Sequence, residues 1–230
     1  MTNSKQINKK LEPVCAVIPF YNEKENLKKI IKQTSQYVNH IIAVNDGSTD
    51  DQYTWVRESD DVEYIKLGKN YGKGKALSTG FEKAISSGFR FIITLDADLQ
   101  HDPQYIPKLL LALESFDIVI GNRLKNLKGM PLQRRLSNKL TSFLLSVKTG
   151  QNILDSQCGF RAYRIEVLEK IKTTNFGFEA ESEILIKASK KQYRIGFIDI
   201  STVYGNEKSK MRPLVATFGF LKVLFSKADE

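Results

Sequence analysis

Phe91-Ile92-Ile93-Thr94-Leu95-Asp96-Ala97-Asp98-Leu99-Gln100 is the stretch on which the reading of this chain turns. Its first five residues form a short apolar, β-prone run, the pattern of a buried strand. Side chains alternate across a strand, so extended geometry carried past Leu95 places Asp96, Asp98 and Gln100 on one side. Two carboxylates and an amide oxygen at a strand end suit a hard divalent cation. A cation held at such an edge keeps open positions that phosphate oxygens fill. The stretch therefore points to an enzyme that handles a diphosphate.

Around this strand, the first half of the chain alternates strand and helix. Strands are expected at residues 14–18, 40–44, 62–67 and 117–120, besides 91–95. Asn22 is read as a helix cap, with Glu25 in a loose capping box. A helix over 76–86 ends at Gly88, and Asp102-Pro103 opens another. Repeated βαβ units predict an α/β fold with a mostly parallel central sheet flanked by helices. Polar clusters then follow the strands: Pro19-Phe20-Tyr21-Asn22-Glu23, Asn45-Asp46-Gly47-Ser48, Asn70-Tyr71-Gly72-Lys73-Gly74, the Asp96 cluster, and Gly121-Asn122-Arg123. Each stands at the carboxyl end of its strand, the edge where open α/β sheets bind ligands.

The second half is less regular. Residues 130–149 form a basic, largely helical stretch with Arg134, Arg135, Lys139 and Lys148. A polar link from Asp155 to Arg161 leads into a short strand. A helix is expected over 179–191, a strand over 194–200 and a very apolar helix over 213–225. The expected organisation is a flexible tail at 1–12, a regular ligand-binding half at 13–123 and a less regular half at 124–230, together one compact domain.

Composition narrows the classes. With 230 residues and 41% hydrophobic content, the chain can bury a sizeable core. Its two cysteines, Cys15 and Cys158, show no disulfide or metal spacing, so a reducing cytosol is the expected setting. No signal peptide is evident, and no apolar run is long enough to span a bilayer. The formal charge of +9 implies acidic company such as phosphates or anionic headgroups. Zinc-finger spacing and an aromatic RNA-binding signature are both lacking, so nucleic acid is not an expected partner.

Each motif also has a plainer reading. Asp96 and Asp98 can cap the next helix, although Asp102 is better placed for that. Asp46 can be only a turn residue; its position after a buried strand favours a carboxylate that reads a nucleobase or ribose. The Asn70 to Lys75 loop fails both the P-loop spacing and G-x-G-x-x-G, leaving a glycine-eased turn that brings Lys73 near a ligand. Arg123 beside a diphosphate can clamp two oxygens with its planar fork. The 134–139 stretch is either a solvated face or the seat of an acceptor phosphate. The helix over 213–225 either packs on the core or lies in the headgroup layer.

In this order the clusters resemble the family 2 glycosyltransferases of GT-A fold. The matching residues are Ile18 to Glu23, Asn45 to Asp50, Gly72 to Ala76 and Asp96 to Gln100. Pro103, Gly121-Asn122-Arg123 and Cys158-Gly159-Phe160-Arg161 narrow the likeness to the branch of dolichol-phosphate mannosyltransferase and other polyprenyl-phosphate sugar synthases. The resemblance implies that Pro19, Tyr21, Glu23 and Asp46 hold the nucleoside, with Lys73 and Ala97 also lining the donor. It implies Mg²⁺ or Mn²⁺ on Asp96, Asp98 and Gln100, with Asp98 and Arg123 central to catalysis. Arg123 and Lys210 would grip phosphates, and Arg134 would meet the acceptor phosphate with Ser137 or Asn138. Lys208 stands in for an arginine that the family often has.

The implied reaction is an inverting transfer from GDP-mannose or a UDP-sugar to a polyprenyl phosphate. The expected location is the cytoplasmic face of a membrane, by peripheral contact or through a membrane-protein partner. A phosphate nucleophile needs no strong base, because its second ionisation lies near pH 6. A sugar hydroxyl acceptor, the main alternative, needs a carboxylate base, with Glu181 and Glu183 as candidates. A nucleotidyltransferase would show a glycine-rich basic signature early in the chain, where residues 14–23 have none. A basic binding module with an inactive site is the reading from another class.

Overall fold

The computed structural model describes residues 13–50, 56, 61–127, 129–202 and 213–226. Seven strands are present among them: β1 (Val14–Phe20), β2 (His40–Asn45), β3 (Val62–Lys66), β4 (Phe91–Thr94), β5 (Ile118–Asn122), β6 (Arg161–Arg164) and β7 (Ile195–Asp199). They form one sheet in the order β3-β2-β1-β4-β6-β5-β7. All pairings are parallel except those of β6, which runs antiparallel between β4 and β5. The expected mostly parallel sheet flanked by helices is the observed architecture. β1 and β4 are buried along their whole length, as strands covered by helices on both faces must be.

The helices are α1 (Lys24–Thr34), α2 (Lys73–Ser86), α3 (Ile106–Ala112), α4 (Leu132–Thr149), α5 (Ile165–Lys170), α6 (Ala180–Lys190) and α7 (Pro213–Phe225). A short 3-10 turn, Pro103–Tyr105, precedes α3 and is capped by Asp102, whose carboxylate accepts the Gln104 N–H. α2 begins at Lys73, earlier than expected, because Gly72 at φ 106° turns the chain out of the β3 loop. A Cβ there would also lie 2.5 Å from the Phe176 carbonyl oxygen, so the position requires glycine.

The expected capping box at α1 does not form. Glu23 occupies the cap position without a side-chain cap bond, and Asn22 sits at φ 53°. The Asn22 side chain accepts the Thr49 N–H at 2.8 Å, and its own N–H donates to the Ser48 hydroxyl at 2.9 Å. Asn22 thus ties the loop after β1 to the loop after β2. α5 was not expected from the sequence.

Strand order fixes where a ligand can sit. From β1 the chain proceeds outward through β2 to β3, then returns to place β4 on the other side of β1. The carboxyl ends of β1 and β4 therefore flank a topological switch point, where loops diverge and leave a crevice. Residues 21–23 lead away from one side of it and 95–100 from the other.

Candidate active site

The acidic cluster after β4 is built by a turn and not by continued extension. The strand ends at Thr94, and Leu99 takes φ 59°. The Asp98 carboxylate accepts the Gln100 N–H at 3.1 Å, closing a turn of the kind that Asp favours. The alternation expected for Asp96, Asp98 and Gln100 is therefore replaced by a local bend.

Asp96 meets Lys73, from the first turn of α2, at 2.7 Å. The same ammonium lies 2.9 Å from Glu181 of α6, and the Arg161 Nε of β6 lies 3.4 Å from Glu181. Arg161 is fully buried and donates to the carbonyl oxygens of Cys158, Ser156 and Glu181. Burial pulls the Lys73 ammonium toward neutrality, but the Asp96 and Glu181 carboxylates outweigh it and hold Lys73 above its ordinary range. Burial would likewise raise Asp96; Lys73 reverses this and holds the carboxyl below its ordinary range. Gly159 makes room for the pair, since a Cβ there would lie 2.5 Å from the Asp96 Oδ2 and 2.7 Å from the Lys73 Nζ.

This donor set fits a divalent cation shared with a ligand. Asp96 and Asp98 supply hard anionic oxygens two residues apart on the bend, and the glycine cradle keeps carbon away from Asp96. Among the described residues no group of three or more His, Cys, Asp or Glu side chains forms a complete cage. An ion such as Mg²⁺ is typically held in this way, by one or two carboxylates plus substrate phosphates and water.

On the β1 and β2 side, Asp46 is buried. Its two carboxylate oxygens accept the N–H groups of Tyr71 and Gly72, each at 2.8 Å. Burial raises its carboxyl above the ordinary value against the pull of those two amides. Asp46 thus shapes the loop that launches α2 and Lys73. Pro19 lies within β1, paired with Val44. Tyr21 and Glu23 are half-buried in the following loop, and the Glu23 carboxylate accepts from the Asn26 amide at 2.9 Å. Ala97 is buried between the two aspartates.

Arg123 follows β5 and forks the carboxylate of Asp155, Nε at 2.8 Å and Nη2 at 2.9 Å. The Asp155 side chain is fully buried. In α4, Arg134 is half-buried, Ser137 is exposed and Asn138 is buried. Arg135 donates instead to the carbonyls of Met130 and Leu127. Lys208 and Lys210 lie outside the described residues.

Three partners here went unassigned in the sequence: Asp155, Arg161 and Gly159. The Cys158-Gly159-Phe160-Arg161 run marked their neighbourhood, but no local pattern pairs them with Arg123, Glu181 or Asp96. The two proposed base carboxylates are both engaged. Glu181 faces Lys73 and Arg161, while Glu183 accepts from the backbone and side chains of Thr174 and Asn175 and pairs with Lys187 at 2.7 Å. His101 is buried 3.5 Å from the Cys158 sulfur, and burial lowers its pKa to about 4.

Comparison with known proteins identifies the family and the fold. The chain matches the Glycosyl transferase family 2 domain over residues 15–172. It is 33% identical to the UDP-N-acetylglucosamine--dolichyl-phosphate N-acetylglucosaminyltransferase of Methanococcus voltae, covering 89% of this chain and 90% of that protein. It is 35% identical to the dolichol-phosphate mannosyltransferase of Pyrococcus furiosus, covering 76% of this chain and 52% of that longer protein. Among solved structures, glucosyl-3-phosphoglycerate synthase from Mycobacterium tuberculosis, in complex with Mn²⁺, UDP-glucose and phosphoglyceric acid, superposes with a TM-score of 0.73. That likeness covers 94% of this chain and 80% of the other at 18% identity, and it speaks for the fold.

Proposed function

The chain belongs to glycosyl transferase family 2, and from that premise we propose that it moves a sugar, with inversion, from a nucleotide-diphosphate sugar to a polyprenyl phosphate. The donor lies across the carboxyl ends of β1 and β4. Pro19, Tyr21, Glu23 and the loop held by Asp46 take the nucleoside. Asp98 and Asp96, with Gln100, would hold Mg²⁺ or Mn²⁺ against the diphosphate. Such a cation, when bound, supplies Lewis-acid stabilisation of the departing diphosphate.

The protein's own groups do the rest. Lys73 keeps Asp96 ionised and fixed in place. Arg123 stands beyond β5 toward the phosphates, with its fork held by Asp155, so a two-oxygen phosphate clamp requires that pair to open. Arg134, with Ser137 or Asn138, receives the acceptor phosphate, and Lys208 and Lys210 join the phosphate contacts. Residues 13–123 serve the donor and 124–230 the acceptor. The lipid acceptor places the reaction at the cytoplasmic surface of a membrane.

One observation carries the choice of acceptor: the carboxylates nominated as bases are already paired with cations. A hydroxyl acceptor must lose its proton to a general base. Glu181 would have to give up Lys73 and Arg161. Burial would raise Glu183, but its bonds to Lys187, Asn175 and Thr174 prevail and hold it below the ordinary range, which makes it a weaker base. A phosphate monoester already carries its ionised nucleophilic oxygen near neutral pH.

The test is a transfer assay with Mn²⁺, UDP- and GDP-sugars and three acceptors: polyprenyl phosphate, the matching polyprenol, and free glycans. UDP-sugars come first, because the relative from Methanococcus voltae is named for a UDP-sugar. Transfer confined to the phosphorylated lipid is expected. Transfer to glycan or polyprenol with none to the phosphate overturns the assignment.

A further inference from the structure

Helix α4 is amphipathic in the inverted sense. Its inward face carries Asn138, Ser142 and Leu145, all buried. Polar contacts hold that face down, with the Ser142 hydroxyl accepting the Ser156 N–H at 2.9 Å and the Ser146 hydroxyl accepting that of Ile153 at 2.9 Å. The outward face carries Leu132, Leu136, Leu140, Phe143 and Val147, each between 58% and 69% exposed. At 3.6 residues per turn these five fall within an arc of roughly 80°. α7 packs against α4; it buries Val223 and Leu224 and leaves Phe218 and Phe225 more than 70% exposed, with Leu221 between them. A contiguous exposed apolar stripe of this kind marks an interaction surface.

We propose that the outward faces of α4 and α7 lie in the headgroup layer of an anionic lipid bilayer and carry the enzyme to its acceptor; this rests on the polyprenyl-phosphate reading above. Charge selects the occupant. Neither helix contains an Asp or Glu, while α4 bears Arg134, Arg135, Lys139 and Lys148, and α7 bears Lys222. An exposed apolar arc on helices that carry cations and no acid matches an anionic surface, into which such helices sink about 5–10 Å. A second copy fits poorly, because a two-fold contact would set the same cations against one another. No helix among the described residues is long and apolar enough to cross a membrane, so this face offers binding in the plane of the interface.

Flotation with phosphatidylcholine vesicles, with and without about one third phosphatidylglycerol, tests this. The wild type is expected to float with the anionic vesicles and to be released by high salt. The double variant Leu140→Glu/Phe143→Glu should lose at least about tenfold in vesicle partition while keeping Mn²⁺-dependent nucleotide binding and its melting temperature. Equal flotation of variant and wild type overturns the proposal. So does a wild-type dimer in light scattering that the variant converts to monomer without any vesicle binding. Flotation is read without substrate, so it stands or falls separately from catalysis. Conversely, transfer to a short-chain, water-dispersed polyprenyl phosphate by the variant at the wild-type rate would leave the reaction assigned even if the docking face failed.

Discussion

Lys73 stands 2.7 Å from Asp96, so a lysine opening α2 holds the first carboxylate of the cluster that closes β4. The two come from opposite sides of β1, and their contact stitches the loop that launches α2 to the candidate metal carboxylates. Glu181 completes the group from α6 at 2.9 Å.

Replacing Lys73 by methionine should therefore destabilise the fold and move its acid transition. Breaking a buried pair costs about 3–5 kcal/mol, and the 30% exposure of the Asp96 side chain reduces this to about 2–3 kcal/mol. The sign follows from Asp96, whose folded carboxyl lies below the unfolded value of 3.8. A depressed carboxyl contributes stability above its unfolded value and loses it as pH falls through the folded one. In the Lys73→Met variant that contribution goes, so acid unfolding should begin at higher pH. Urea midpoints measured from pH 7 down to pH 3 check this. Coincident curves for the two proteins would show that the pair contributes nothing.

Asp98→Asn keeps the acceptor for the Gln100 N–H and removes only the charge. Stability should change by less than about 0.5 kcal/mol. Mn²⁺-dependent UDP or GDP binding should disappear from calorimetry, and transfer should fall by at least about a hundredfold. Full activity of the variant in the presence of chelator would remove the metal from the mechanism.

The pH profile separates the two acceptor classes. With a phosphate nucleophile, kcat/KM should fall about tenfold per unit below the second phosphate ionisation near pH 6 and level off above it. A carboxylate base in the ordinary range near 4 would leave the rate flat from pH 5 to 8. Glu183→Gln sharpens the contrast: a base lost costs about 10²–10⁴-fold, and here only a modest, stability-linked loss is expected.

The sheet was legible because strands buried on both faces must be continuous apolar runs, and Phe91 to Leu95 is such a run. The acidic cluster was legible because its residues adjoin one another. Pairings formed across the fold were not. Lys73 with Glu181 and Arg123 with Asp155 join residues that no local pattern connects, and Glu181 stands as a candidate base for a hydroxyl acceptor only while its cations are out of view. Asn22 obeyed a tertiary demand, binding Thr49 and Ser48 in place of capping α1. The leucines of α4 repeat at helical spacing, which reads equally well as a core stripe; only its buried serines and asparagine show that the stripe faces out.

Gly159 offers the most local test of the cluster. Its backbone passes so close to the Lys73 and Asp96 pair that an added methyl carbon would lie 2.5 Å from the Asp96 Oδ2 and 2.7 Å from the Lys73 Nζ. Side-chain ends usually swing aside from such a clash, but these two are pinned to each other and Lys73 is pinned again to Glu181. Gly159→Ala should therefore cost about 1–3 kcal/mol of stability by overpacking. It should also weaken Mn²⁺-dependent nucleotide binding by about tenfold, since a carboxylate proposed to hold the cation is displaced. Gly68→Ala is the control, because nothing lies within 4 Å of its added carbon. Thermal melts and calorimetry on both variants decide the matter. If Gly159→Ala melts and binds like wild type, the carboxylate and ammonium move freely, and Lys73 does not position Asp96 for the cation.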